Sequence, residues 1–430
     1  MRPSRLVRLA RYRRAEGRLR RKARRAAKGG TPRSGAGDAR PAAPRASPSA
    51  APGPSHAAGR TFLSRLVTAL LTVVETFRSG LSWARGLLSP MPARAAPLLP
   101  PDEFLVVGHR GAPASAPENT LASFDRALAD GANAIETDFC VTKDDQVVVW
   151  HDWDPDELVA FARAAGAEFD VAYRPVSPPE GDPMRRPVRE LTLAELRTHY
   201  GLARMKGDVT TPVHLPVLDE VVAWAAAQGD RLKCVLVDIK IPAAHKACAK
   251  TLLDALEAAV ARHRPACRFL LMTPVLEVLQ TLRDLAPARS RTFDVEIKPG
   301  FAPDADDVDP RYAPYSAVRW AVRQGNDHAS IGRPRFTLGG WPLYKNTVRR
   351  DLGELALKAR HPQHDAPVRL LCWTLNRPRE RRWLLRLGVH GILTDFPADL
   401  RREYEAEWAR EVRKAAERGA APTPPPPAAP

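Results

Sequence analysis

The chain has 430 residues, room for one large domain with appendages or two ordinary ones, and its 44% hydrophobic content suffices for a packed core. Its 42 prolines and formal net charge of +17 set part of it apart from any compact core. The five cysteines are odd in number and none is spaced for zinc, while Cys140, Cys234 and Cys372 sit in apolar runs, so buried reduced thiols are expected rather than disulfides or a zinc module.

Met1 to Lys28 repeats Arg and Lys every two or three residues against a single acid, Glu16. This reads as a solvated arm, or as one that meets an anionic surface, where each basic residue near a charged leaflet is worth about 1 kcal/mol. No continuous apolar stretch follows closely enough to make a secretory signal. Gly29 to Gly59 is Pro, Ala, Ser and Gly, too poor in large apolar groups to offset its ordering entropy, so residues 1–60 are expected to be a disordered extension. From Thr61 to Leu88, apolar residues such as Phe62, Leu66, Leu70 and Phe77 follow helical spacing, but Leu66 to Val74 is far shorter than the ~20 residues of a membrane span. Residues 61–100 therefore read as an amphipathic helix and linker, the helix either packed on the next domain or lying in a membrane interface. A cytoplasmic protein, or one peripheral to the cytoplasmic face of a membrane through 1–28 and 61–88, is expected; nucleic acid is not expected as a partner.

Phe104 to Val107 is an apolar run that stops at Gly108-His109-Arg110-Gly111, a strand followed by a loop. Pro117-Glu118-Asn119-Thr120 opens a helix with Leu121, Phe124, Ala127 and Leu128 on one face, closed by Gly131. The next strand, Ala134 to Val141, carries Glu136 and Asp138, which a period of two points to one side. Two buried carboxylates side by side repel unless a cation lies between them, and a hard divalent metal suits oxygen donors. A third apolar run, Gln146 to Trp150, ends at His151-Asp152.

These residues, with Thr142-Lys143-Asp144, Cys372-Trp373-Thr374-Leu375-Asn376 and the closing Gly391 to Pro397, stand in the order and at the distances of the glycerophosphodiester phosphodiesterase signature, and the chain resembles that family of phosphodiesterase barrels. Each motif alone is weak; together, in register over about three hundred residues, they are specific.

After His151 comes a long section with a short helix at Asp156 to Ala165, a proline-rich loop at Tyr173 to Pro187, and a helix that starts at Leu191-Thr192 with a Thr cap. Inserted past a strand's C-terminal end, it is expected over the pocket mouth, where it would affect substrate choice. The family's Arg-Thr-Thr segment has no match there. Lys233 to Ile239 is a strand ending Asp238-Ile239-Lys240, where the family has Glu-x-Lys; Glu296 competes with Asp238 as the third acid, and chain order favours Asp238. Alternation continues through strands at Phe269 to Met272, Thr292 to Ile297, Leu370 to Leu375 and Gly391 to Thr394, while Pro299 to Tyr344 reads as loop apart from a helix at Ala317 to Gln324. Strand ends near 108, 140, 151, 239, 272, 297, 375 and 395 make eight, which predicts an α/β (β/α)8 TIM barrel over 101–418 and a Pro-rich tail over 419–430.

The resemblance implies His109 and His151 as an acid–base pair, Arg110 and Lys240 on the phosphate, and Glu136, Asp138 and Asp238 on Mg²⁺ or Ca²⁺. It also implies hydrolysis of a glycerophosphodiester to sn-glycerol 3-phosphate and an alcohol through a cyclic phosphate. Trp373 would pack on the glycerol or lipid part, or fill the barrel core. Two other readings stand beside this one: a lysophospholipase D-like enzyme acting on a lysophospholipid, and an inactive barrel that binds anionic surfaces. The remaining histidines, His390 among them, are expected to be surface or structural.

Overall fold

A computed structural model describes residues 98–168, 170–205, 210–211, 213–296, 317–323, 325–333, 340–358 and 368–417. The expected extension 1–60, the amphipathic stretch 61–88 and the tail 419–430 lie outside the described residues.

The described chain begins with β1 (Leu105–His109), α1 (Leu121–Ala129), β2 (Ala134–Val141), β3 (Val147–Val149) and α2 (Leu158–Ala164). β4 (Tyr173–Val176), α3 (Leu193–His199), β5 (Gly201–Arg204) and β6 (Thr210–Thr211) follow, then α4 (Leu218–Ala227). Next come β7 (Cys234–Ile239), α5 (Cys248–His263), β8 (Arg268–Thr273), α6 (Leu276–Leu285), β9 (Arg291–Glu296), α7 (Ala317–Arg323) and β10 (His328–Gly332). The last are α8 (Gly340–Lys358), β11 (Arg369–Trp373), α9 (Pro378–Leu387), β12 (Gly391–Thr394) and α10 (Pro397–Glu417).

Strands β1, β2 and β7 to β12 pair in parallel with two neighbours each, and the β1–β2 pairing closes the ring into a (β/α)8 barrel. The pleat sorts the side chains. Inward residues such as Leu105, Val107, Leu236, Leu270, Leu371 and Leu393 plug the barrel, while Val106, Ile135, Val235 and Leu271 face the helices. Local chemistry sets the helix ends: Thr120 caps α1 by accepting from the Ser123 N–H, Thr192 and Glu195 form a capping box on α3, and Gly388 ends α9 at φ 89°. Phe104 stacks on Tyr404 of α10 with centroids 3.9 Å apart, which fastens the last helix under the first strand.

The predicted count of eight barrel strands is correct, but one of its members is not. Val147 to Val149 is β3, antiparallel to β2, because the turn before it passes through Asp145 at φ 58° and doubles the chain back. The strand missing from the count is β10, read as loop because His328-Ala-Ser-Ile-Gly332 has a single large apolar residue; all five are nonetheless buried between β9 and β11. The proline-rich stretch from Tyr173 also contains a strand, β4, which with β5 and β6 makes a small antiparallel sheet in the insertion.

The insertion meets the barrel's C-terminal end, as expected. The Ala172 N–H donates to the Pro113 carbonyl, Lys143 N–H to that of Leu191, and Asn376, just past β11, donates to Asp170 at 3.3 Å. All five cysteines are free and buried.

Candidate active site

β1 delivers His109 to the barrel mouth. The chain then folds so tightly that a Cβ on Gly108 would lie 2.5 Å from the Gly111 carbonyl oxygen and 2.8 Å from Ala127 Cβ, and Gly111 has φ +87°. Arg110 adopts φ 53°, a left-handed conformation that costs about 1–2 kcal/mol for a residue with a side chain. Three hydrogen bonds hold it there: Arg110 N–H donates to Glu136 Oε2 at 2.9 Å, and the Arg110 carbonyl accepts from Asn119 N–H at 3.0 Å and Ser123 Oγ at 3.1 Å.

Parallel register assembles the acids. His109 pairs with Glu136 across β1–β2, and Asp138 pairs with Asp238 across β2–β7, so all four side chains point into the barrel. Glu136, Asp138 and Asp238 each offer an oxygen, these lying within 4.8 Å of one another. Burial and the neighbouring Asp138 and Asp238 push Glu136 well up; burial also raises Asp238. Asp138 moves the other way, because Lys240, His151 and Arg110 together outweigh its burial. Lys240 Nζ lies 3.0 Å from Asp138 Oδ1 and 2.5 Å from Asp238 Oδ2, and Arg110 Nε lies 3.1 Å from Asp138 Oδ2. Yet Glu136 Oε1 and Asp238 Oδ1 are buried with no hydrogen-bond partner. Orphaned carboxylate oxygens in an all-oxygen donor set are what a hard divalent cation would satisfy, so these residues fit one. The side chain of the competing Glu296 lies outside the described residues.

Each imidazole has a carboxylate behind it. His109 Nδ1 is 2.6 Å from Asp395 Oδ1, and His151 Nδ1 is 2.6 Å from Asp152 Oδ1. With Nδ1–H donating to the acid, Nε2 of each ring is left for chemistry. His109 Nε2 lies 3.9 Å from Glu136 Oε2. Burial, Arg163 and Arg110 press His151 down to about 3, a neutral ring at pH 7, and its partner Asp152 is held ionised at about 2, chiefly by Arg163 and His151 acting against burial.

Two asparagines hold the site's aspartates by one device. The Asn119 side-chain oxygen accepts from the Thr137 hydroxyl at 3.0 Å and the Asp138 N–H at 3.2 Å, while its amide donates to Asp138 Oδ2 at 2.7 Å. Asn376 repeats this at the other side of β1: its oxygen accepts from the Thr394 hydroxyl at 3.1 Å and the Asp395 N–H at 2.9 Å, and its amide donates to Asp395 Oδ2. Asn119 and Asn376 lie inside the sequence motifs, and the Thr-Asp pair each one holds, Thr137-Asp138 and Thr394-Asp395, is the signal they share. Asp294 had none: it stands inside the barrel on β9, hydrogen-bonded to Ser330 Oγ at 2.7 Å, and burial with the nearby Asp238 pushes it to about 8.

The sequence-derived residues thus meet at one mouth: His109, His151, Arg110, Lys240, Glu136, Asp138 and Asp238. Trp373 is half-buried, packed on the barrel plug and over Gly332, where an added Cβ would come within 2.6 Å of its Cη2.

The chain is similar to several known proteins. A protein of Bacillus subtilis (strain 168) called YqiK, of uncharacterised function, is 24% identical over 297 residues, which cover 68% of this chain and 95% of that one. A glycerophosphodiester phosphodiesterase of the same organism is 35% identical over 134 residues, 27% of this chain and under half, 44%, of the relative. Among solved structures, a candidate glycerophosphoryl diester phosphodiesterase of Silicibacter pomeroyi DSS-3 superposes with TM-score 0.52 at 25% identity, over 80% of this chain and 99% of that one. The profile of the Glycerophosphoryl diester phosphodiesterase family matches residues 109–399, from the His109 dyad to just past its partner Asp395, and the chain belongs to that family of phosphoric diester hydrolases.

Proposed function

We propose that this enzyme hydrolyses glycerophosphodiesters to sn-glycerol 3-phosphate and an alcohol by acid–base catalysis from His109 and His151. The observation that carries the reading is the pairing of two His–carboxylate dyads with a buried three-carboxylate cluster that has two unpartnered oxygens.

A phosphodiester is an anion. Attack on it needs a base for the nucleophile, an acid for the leaving alkoxide, and positive charge on the phosphoryl oxygens. Arg110 and Lys240 stand on the rim of the acid cluster and supply that charge to the bound substrate. Glu136, Asp138 and Asp238 would hold Mg²⁺ or Ca²⁺, which when bound supplies Lewis-acid polarisation of a phosphoryl oxygen. In the two-step course that the resemblance implies, the adjacent glycerol hydroxyl attacks first and water opens the cyclic phosphate. The two histidines exchange roles between the steps, so each serves once as base and once as acid. Asp395 and Asp152 fix the ring orientations and favour the imidazolium that forms. Trp373 offers its indole to the glycerol part.

The test measures release of sn-glycerol 3-phosphate from glycerophosphocholine with Mg²⁺ or Ca²⁺, with and without chelator, beside lysophosphatidylcholine. Turnover of glycerophosphocholine that chelator abolishes supports the proposal. Cleavage of the lysolipid alone would replace it with a lysophospholipase D-like activity, and no turnover of either would leave an anionic-surface binder.

A further inference from the structure

Helix α2, in the insertion, places Arg163 where no motif pointed. Its side chain is 3% exposed and fully engaged. Nη1 donates to Asp152 Oδ1 at 2.6 Å, the same oxygen that meets His151 Nδ1 at 2.6 Å. Nη2 donates to Glu118, and Nε to Glu168 Oε2 at 3.0 Å. Those two glutamates also meet Arg110, whose Nη1 donates to Glu118 Oε2 and Glu168 Oε2, both at 3.1 Å. One guanidinium therefore joins the carboxylate behind His151 to two of the three carboxylates that meet the phosphate-side arginine.

A buried network of this kind is poor evidence of stability alone, since desolvating its charges offsets much of their attraction. It does fix geometry, because the planar fork of Arg meets three carboxylates in defined directions. From these contacts, and on the reading of His151 and Arg110 given above, we infer that Arg163 is a positioning residue for the phosphodiesterase reaction: it sets the His151–Asp152 dyad and the Arg110 side chain at once, and makes the insertion a working part of the active site. Lysine in its place keeps charge and stem but cannot reach Asp152, Glu118 and Glu168 together.

The experiment measures kcat and KM for glycerophosphocholine in wild type, Arg163→Lys and Arg163→Ala, with folded fraction from circular dichroism, and repeats Arg163→Ala in a few millimolar guanidinium. The expected result is a kcat at least ~10-fold lower in folded Arg163→Lys, a KM raised by a smaller factor, and partial recovery of kcat in Arg163→Ala by guanidinium but not by ammonium. Wild-type kcat in Arg163→Lys overturns the inference. So does a loss that tracks the unfolded fraction with no recovery, or a failure of both variants to fold, either of which makes Arg163 a structural brace. Wild type inactive on every glycerophosphodiester would instead overturn the proposed reaction.

Discussion

His109 and Asp395 are 286 residues apart in the chain and 2.6 Å apart in space, joined through Nδ1 and Oδ1. They meet because β1 and β12 are parallel neighbours in register, with Gly108 beside Thr394. Asn376 fixes the aspartate from the next strand's end, so three segments agree on the direction of one imidazole.

Replacing Asp395 with Asn should keep volume but lose function. A carboxamide can present N–H to Nδ1, which selects the wrong tautomer and removes the charge that favours the imidazolium. A kcat loss of ~10²-fold or more is expected, as for the acid of a serine-protease triad, with a melting temperature close to wild type. Wild-type kcat would show that His109 needs no orienting acid.

His109→Ala and His151→Ala should each lower turnover by at least ~10²-fold, the usual scale of a lost general acid or base, with little change in folding. Near-normal turnover in either variant removes that residue from the mechanism.

Asp238→Asn should raise the metal concentration for half-maximal activity by about tenfold or more, as about 1.4 kcal/mol of lost attraction would. Asp238→Glu restores the residue expected from the family resemblance and should match or improve on wild type. Thermal shifts with Mg²⁺ or Ca²⁺ check the same order without turnover. If Asp238→Asn binds as wild type does and Glu296→Gln does not, the third ligand is Glu296.

The sequence made one kind of relationship legible and hid another. Glu136 and Asp138 are two residues apart on one strand, so the pleat alone aligns them, and Asp238 follows from a similar local pattern. The His109–Asp395 and Arg163–Asp152 contacts depend on which strands are neighbours and where an insertion lies, and no local period encodes that. β10 escaped because a strand buried on both sides usually reads as an apolar run, whereas His328, Ser330 and Gly332 break it. Val147–Val149 misled for the opposite reason: an apolar run is the same whether its strand is parallel or turned back.

Gly332 is the floor under Trp373. A methyl there collides with the indole, so Gly332→Ala should move Trp373 and raise KM several-fold with a smaller change in kcat. An unchanged KM would mean that Trp373 is barrel packing alone.

The last prediction concerns stability. His390 Nδ1 accepts a hydrogen bond from the Leu370 N–H at 3.0 Å, a role that a protonated imidazolium cannot fill. Burial, aided by the charges of Arg369 and His328, pushes His390 down to about 4. Its folded value thus lies below the ordinary ~6.5 of an unfolded chain, so between these two the unfolded state binds more protons and stability rises with pH. This contribution, at most about 3 kcal/mol, is fully present above ~6.5 and is lost as pH falls toward 4. His390→Gln can offer its side-chain oxygen to Leu370 without titrating. Urea unfolding at pH 7.5 and pH 4.5 should show wild type losing more stability than the variant. Equal losses would mean that His390 is not what couples this barrel to acid.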